Sequence, residues 1–188
     1  MKTSVFRLSM TLALVALFAI GMVPVGVSPA MARTVTVDVE AYNVVCEVLD
    51  PGTFWVSEDG VQHLRDRVLR SVVISENEYH NGTGKIYANF NMDPAAGVMT
   101  YFGNLDIYPA AYPENYWAGS FNMQIVPSGA EGIARLKGYG SDLSGWKIRS
   151  NLIPLTPAEL AEFAYACDGN VPISGVHSVA TILMPDGE

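Results

Sequence analysis

Residues 85–108, KIYANFNMDPAAGVMTYFGNLDIY, contain the pattern that decides the fold. In the first half of this stretch, apolar residues alternate with polar or amphipathic neighbours: Ile86, Ala88, Phe90 and Met92. Alternation at every second position is typical of a β-strand that turns one face toward a core. The loop DPAAG (93–97) and a second strand-like run (99–108) follow. Two such runs joined by a short loop with Pro and Gly predict an antiparallel pair.

The same alternation extends in both directions along the chain. Residues 34–40, TVTVDVE, predict a first strand that continues to Val48 with a bulge near residues 44–45. The sequence DPG (50–52) is expected to turn the chain into a second strand at residues 53–57. Turn residues recur at intervals of about ten residues. They separate further strand-like runs at 61–75, 86–92, 99–108, 120–125, 133–139, 146–152 and 176–184.

This arrangement predicts an all-β fold, an antiparallel barrel of eight to nine strands with one short C-terminal helix. A β-sandwich is the alternative with a similar strand count. A barrel removes the exposed edges that invite aggregation. The helix is expected at TPAE (156–159), a capping box with Pro at the first helical position, and its apolar spacing continues to Cys167.

Residues 1–32 have the three parts of a cleavable signal peptide. Lys2 and Arg7 form a basic start, residues 8–27 carry no charge, and AMA (30–32) supplies the small residues that a signal peptidase requires. We expect cleavage after Ala32, which leaves residues 33–188 as a single β-barrel domain; an uncleaved membrane anchor is the alternative. Export predicts a secreted protein or one of the periplasm or cell envelope.

The chain after residue 32 is strongly acidic. It carries nine basic and 19 acidic residues, a net charge of −10. Such a charge argues against nucleic acids and anionic membrane surfaces as partners. No second apolar stretch is long enough to span a membrane. A small apolar molecule, or a partner in the envelope or outside the cell, is the expected class of partner, and the oligomeric state is open.

The chain has two cysteines, Cys46 and Cys167. An even number of cysteines in an exported chain predicts a disulfide, here between an early strand and the late helix. By the chain-entropy model, closing so long a loop contributes roughly 4–5 kcal/mol. Two separate buried thiols are the alternative.

The stretch QHLRDR (62–67) is the first candidate for a ligand site. In a regular strand, His63, Arg65 and Arg67 point to one face. Two guanidiniums beside an imidazole are suited to bind an anion or to polarise a carbonyl. The alternative is a solvated strand face whose charges are balanced by acidic neighbours.

Aromatic residues form the second candidate, because they are concentrated between residues 101 and 121. Tyr101, Tyr108 and Trp117 are candidates to line the mouth of a ligand cavity, since a barrel of this size holds one small apolar molecule. The alternative is that these rings pack in the wall and the core.

No motif identifies a catalytic residue, a metal or a cofactor. His63, His80 and His177 are far apart and form neither an H-x-H nor an H-E-x-x-H pattern. A G-x-S-x-G nucleophile motif is absent from the sequence. The sequence therefore predicts no metal and no cofactor, and it leaves enzymatic activity open.

Several short motifs are spread over residues 51–147. They are PGTFWV (51–56), GVQHLR (60–65), GTG (82–84), MDP (92–94), GYG (138–140) and GWK (145–147). Together they resemble a group of uncharacterised secreted bacterial proteins, and the last two resemble small barrels of the allene-oxide-cyclase and dirigent type. The resemblance implies a small β-barrel, and no active-site residue is carried over from it.

Three functions fit these expectations. The first is a non-enzymatic secreted barrel that binds a small apolar ligand or a surface partner. The second is a cyclase- or isomerase-like enzyme acting in the barrel cavity, and the third is a structural component of the cell envelope. A closed, filled interior would exclude the first two as cavity-based functions, and a cavity with His63 and Arg65 pointing inward would favour the second.

Overall fold

The structure, a computed structural model, describes residues 34–185, so the signal peptide and cleavage site predicted at residues 1–32 lie outside it. Nine strands form one antiparallel sheet. They are β1 (Thr34–Asp50), β2 (Thr53–Val56), β3 (Gln62–Ser75), β4 (Gly82–Asp93), β5 (Val98–Pro109), β6 (Tyr116–Val126), β7 (Gly129–Tyr139), β8 (Lys147–Pro154) and β9 (Ser174–Pro185). β1 pairs with both β9 and β3, which closes the sheet. β2 pairs with β3 alone and lies outside the closed ring, so the other eight strands form the barrel. The predicted all-β antiparallel barrel is confirmed.

The alternating apolar residues face the interior of the barrel. On β4, the predicted inward residues Ile86 and Ala88 are buried, while Tyr87 between them is 36 % exposed. The shift in the alternation of β1 also occurs: its register with β3 changes between Val45 and Glu47, one residue beyond the predicted bulge. The alternation of apolar and polar residues therefore correctly predicts which side chains face the interior and which face outward on these strands.

Strand connections lie at the two ends of the barrel. The β3–β4, β5–β6 and β7–β8 connections lie at one end, where Thr34 and Pro185 also pair. Trp117 and Leu143 fill this end and are both 0 % exposed. The indole N–H of Trp117 donates a hydrogen bond of 2.6 Å to the carbonyl oxygen of Tyr79. We call this the closed end; the β2–β3, β4–β5, β6–β7 and β8–β9 connections lie at the opposite end.

One short helix interrupts the strands, as predicted. Helix α1 (Pro157–Glu162) begins after Thr156, whose hydroxyl accepts a hydrogen bond from the backbone N–H of Glu159. The Glu159 carboxylate in turn accepts one from the backbone N–H of Thr156 at 2.7 Å, which completes the capping box. A 3-10 helix (Ala164–Cys167) follows. Within residues 34–185, no helix is long and apolar enough to cross a membrane.

The predicted disulfide fixes this helical segment to the outside of the barrel. Cys46 in β1 is bonded to Cys167 at the end of the 3-10 helix, with their Cα atoms 5.2 Å apart. Tyr42, on the outer face of β1, packs against Phe163, with ring centroids 4.8 Å apart. The bond spans 121 residues of sequence, so it restricts the unfolded chain strongly.

The DPG sequence at residues 50–52 does not reverse the chain, which corrects the prediction of a turn. Asp50 pairs with Val68 and Thr53 pairs with Arg65, so β1 and β2 run in the same direction along β3. The segment between them is a kink at which Gly52 adopts a φ of 70°. A Cβ atom at this position would overlap the backbone of β3 at Arg65, so the close approach requires glycine.

Candidate ligand-binding cavity

The interior of the barrel contains a cavity of about 350 Å³. This volume lies within the range of roughly 300–1,000 Å³ that is usual for small-molecule sites. Every strand of the closed barrel contributes apolar side chains to its wall, among them Ala41, Val45, Leu69, Ile86, Phe90, Met99, Leu105, Phe121, Met123, Ala134, Leu136, Ile148, Leu152 and Val176. Two of the inward residues that the alternation predicts on β4, Ile86 and Phe90, therefore line this cavity.

The exposure of the inward residues shows where the cavity opens. Near the closed end, Val73 and Ile107 are each 1 % exposed. Toward the opposite end, Phe90, Met99 and Ile125 are only half-buried, although their side chains also line the cavity. The cavity therefore opens at the end that carries the β4–β5 and β6–β7 connections, which we call the open end.

Arg67 is the charged residue of the cavity wall. It lies in the half of β3 nearer the open end, and its Nε atom is buried with no hydrogen-bond partner. Within residues 34–185, Arg70 forms a salt bridge with Glu47, and no carboxylate pairs with Arg67. Arg67 as a whole is half-buried, so its guanidinium is partly shielded from water and has no carboxylate to balance its charge.

Tyr101 lies beside Arg67 in the cavity wall. Burial raises the pKa of the Tyr101 hydroxyl to about 12, and the positive charge of Arg67 opposes this rise. The ring packs against Phe121 with centroids 5.1 Å apart. At neutral pH, Tyr101 is therefore a neutral hydrogen-bond donor held next to a cation.

Asn43 and His80 are two of the neutral polar side chains of the cavity wall, and both lie farther from the open end than Arg67. Asn43 on β1, opposite Val73, has a buried Oδ1 atom without a hydrogen-bond partner. The same is true of Nδ1 in His80, which lies in the β3–β4 connection. Burial lowers the pKa of His80 to about 4, so its ring is uncharged at neutral pH. Both residues line the cavity and offer hydrogen-bonding atoms to a water molecule or to a ligand.

His63 and Arg65 lie on the outer face of the barrel, which corrects the prediction that they share a face with Arg67. His63 is hydrogen-bonded to the Asn91 side chain at 2.8 Å. Arg65 donates to the same Asn91 oxygen at 2.6 Å and lies over the Trp55 ring, 5.4 Å from its centroid.

A bulge in β3 causes this separation. The register of β3 with β4 shifts between Leu64 and Arg67, and Asp66 has a left-handed φ of 61°. A bulge adds one residue to a strand and reverses the faces on which later side chains lie. Only Arg67 is therefore placed in the cavity.

Of the three aromatic candidates for the cavity mouth, Tyr101 alone lies in the cavity wall. Tyr108 lies on the outer face, is 43 % exposed and stacks near Tyr116, with ring centroids 6.0 Å apart. Trp117 is part of the packed closed end and does not line the cavity. The alternative of packing in the wall and core therefore describes Trp117.

Asn43 and His80, which line the cavity together with Ser150, Ser174 and Ser178, were not among the predicted site residues. Asn43 falls in phase with the inward residues Ala41 and Val45, so the alternation of β1 contained the signal. His80 lies in a connection, where no periodicity applies, and nothing in its sequence neighbourhood indicates that it is buried.

Comparison with known proteins adds no family to this description. No family model matches the chain, and no match was found among curated proteins or solved structures. The resemblance to the allene-oxide-cyclase and dirigent barrels stays a prediction.

Within residues 34–185, no three His, Cys, Asp or Glu residues gather in a group suited to a metal ion.

Proposed function

We propose that this protein binds a small apolar ligand in the barrel interior and acts by binding rather than by catalysis. The supporting observation is the unfilled cavity of about 350 Å³ with a mainly apolar wall. Protein interiors are normally packed with few voids larger than a water molecule. Apolar cavities do not hold water well and accept apolar guests instead.

The proposal places the protein outside the cytoplasm. The Cys46–Cys167 disulfide supports this location, because such bonds form and persist in oxidising compartments. The signal-peptide pattern in residues 1–32 supports it independently. A small apolar molecule outside the cell benefits from a carrier, since apolar surface is poorly accommodated by water.

Binding is favoured over catalysis by the position of the polar groups. An enzyme acting in the cavity would use acid–base side chains that face it. Of the candidate triplet His63, Arg65 and Arg67, only Arg67 faces the cavity. The other titratable side chains in the wall are His80, with a pKa lowered by burial to about 4, and Tyr101, with a pKa raised by burial to about 12. Both pKa values lie far from neutral pH, where an acid or base works best. The N–H donors of a guanidinium are suited to hold a ligand rather than to exchange protons with it.

Filling the cavity tests the proposal. Ala134 lies in the cavity wall, opposite Phe121 on β6, so Ala134→Phe places a ring inside the cavity. Ala118→Phe is the matched control, because Ala118 alternates with the inward residue Trp117 and faces outward. Fluorescence titration with the neutral apolar dye Nile red measures binding.

We expect saturable binding by the wild-type protein and by Ala118→Phe. Ala134→Phe should bind at least about tenfold more weakly, a loss of roughly 1.4 kcal/mol. Absence of saturable binding to the wild-type protein would overturn the proposal. Equal binding by both variants would also contradict it, because the dye would then occupy another surface.

A further inference from the structure

Arg67 is a cation without a carboxylate partner in a mainly apolar cavity. Its Nε atom is buried and has no partner, and no carboxylate of residues 34–185 pairs with it. The chain after residue 32 has 19 acidic residues, so acidic side chains are abundant elsewhere. A guanidinium in this position is explained most simply if its counter-charge belongs to the ligand.

We propose that the ligand is a single-chain amphiphile with a carboxylate head group, which Arg67 binds near the open end while the apolar chain fills the cavity. This inference rests on the proposed function, since it specifies the chemical class of the ligand for the same cavity. It explains why a charged residue lies in a wall made largely of side chains such as Phe90, Met99 and Met123.

A carboxylate fits Arg67 in geometry and in charge. The planar guanidinium presents its N–H groups as a fork that matches the two oxygens of a carboxylate. One cation balances one negative charge, whereas a phosphate monoester with nearly two charges would be left partly unneutralised. The protonated hydroxyl of Tyr101 lies next to Arg67 and supplies a further donor for a carboxylate oxygen.

The orientation of the ligand follows from the wall. Arg67 and Tyr101 lie on the parts of β3 and β5 toward the open end, so the head group would be near solvent. Beyond them the wall continues as aliphatic residues, including Leu69, Ile86 and Leu105. A hydrocarbon chain would therefore enter first and the carboxylate would stop at Arg67.

The test compares ligands that share one chain and differ in head group. The assay measures how well each ligand displaces bound Nile red. The ligands are laurate, lauryl alcohol and dodecyltrimethylammonium, and the proteins are the wild type, Arg67→Met and Arg67→Lys. Arg149→Met is the matched control. It removes the same charge from an exposed position on the outer face of β8, next in sequence to the inward residue Ile148.

We expect wild-type protein and Arg149→Met to bind laurate at least about tenfold more tightly than lauryl alcohol, given the usual strength of a charged hydrogen bond. Arg67→Met should abolish this preference, and Arg67→Lys should retain part of it, because Lys keeps the charge without the fork. Binding of lauryl alcohol by Arg67→Met shows that the cavity is intact in that variant.

Three results would overturn the inference. They are equal affinity of the wild-type protein for laurate and lauryl alcohol, preference for the ammonium compound, and an unchanged laurate preference in Arg67→Met. Each of them leaves the proposed function standing, because a chain still binds. Failure of the wild-type protein to bind any of the three compounds, or Nile red itself, would instead overturn the proposed function.

Discussion

Arg65 and Arg67 lie on opposite faces of the barrel wall, although only Asp66 separates them. Arg65 is hydrogen-bonded to Asn91 outside the barrel, and Arg67 lines the cavity. In a regular strand, residues two apart share a face. Asp66 has a left-handed conformation, and the kink at Gly52 lies opposite it. As a result, Arg65 lies outside the barrel and Arg67 lies inside.

The kink predicts that Gly52→Ala destabilises the fold more than an ordinary glycine substitution does. Gly52 combines a positive φ with backbone of β3 where a Cβ would lie. Gly60 has a φ of 84° but open space around it, so Gly60→Ala is the control. We expect a loss of about 3 kcal/mol in the free energy of unfolding for Gly52→Ala and about 1 kcal/mol for Gly60→Ala, measured by urea denaturation. Equal losses would show that the close approach has no energetic role.

Removing the unneutralised charge should stabilise the ligand-free barrel. Arg67→Met replaces a guanidinium without a partner by a flexible apolar side chain that suits a cavity wall. We expect a gain of about 1–2 kcal/mol, seen as a rise in Tm of roughly 2–8 °C. Arg149→Met should change stability by less than about 0.5 kcal/mol. A lower Tm for Arg67→Met than for the wild-type protein would mean that Arg67 supports the fold.

The disulfide predicts a loss of stability when both cysteines are replaced. The Cys46→Ala, Cys167→Ala double variant should lose about 2–5 kcal/mol in its free energy of unfolding, measured by urea denaturation without reductant. Hydrogen exchange should become faster in residues 157–167, because the bond fixes this segment to β1. Exchange in the core of β4 to β6 should change only in proportion to global stability. Unchanged exchange in the helical segment would mean that packing alone holds it.

Burial of His80 predicts a loss of stability in mild acid. Its pKa is lowered from 6.5 to about 4 in the folded protein, so between these values the unfolded chain binds a proton that the folded protein does not. Stability therefore falls as the pH drops from about 6.5 to about 4, by up to roughly 3 kcal/mol from this group. His80→Gln should flatten this part of the curve in urea denaturation at pH 4 to 7. The same slope in both proteins would mean that other groups cause the loss.

Much of the fold could be predicted because its signals are local. The alternation at Ile86 and Ala88 follows from the two faces of one strand, and the capping box at Thr156 follows from a few adjacent residues. The role of residues 50–52 was not predictable in this way. Pro and Gly indicate a change of direction, but whether the chain reverses or only kinks depends on where β3 lies, which is a long-range property.

The cavity could be predicted only in part for the same reason. Arg67 and Tyr101 were candidates and do line it. His63 and Arg65 were predicted to share a face with Arg67, and they do not, because the face of every residue before the bulge depends on one dihedral angle at Asp66. Periodicity contains no information about such an angle, since Asp is compatible with both extended and left-handed conformations.

The pairing of Thr34 with Pro185 has a practical consequence. Both ends of the described chain emerge beside each other at the end that Trp117 fills, and the entrance near Met99 and Ile125 faces the other way. A tag or a solid support attached at either end would therefore leave the entrance unobstructed. A circular permutant that links residue 185 to residue 34 would need only a short linker, and immobilised protein should bind ligand as well as free protein does.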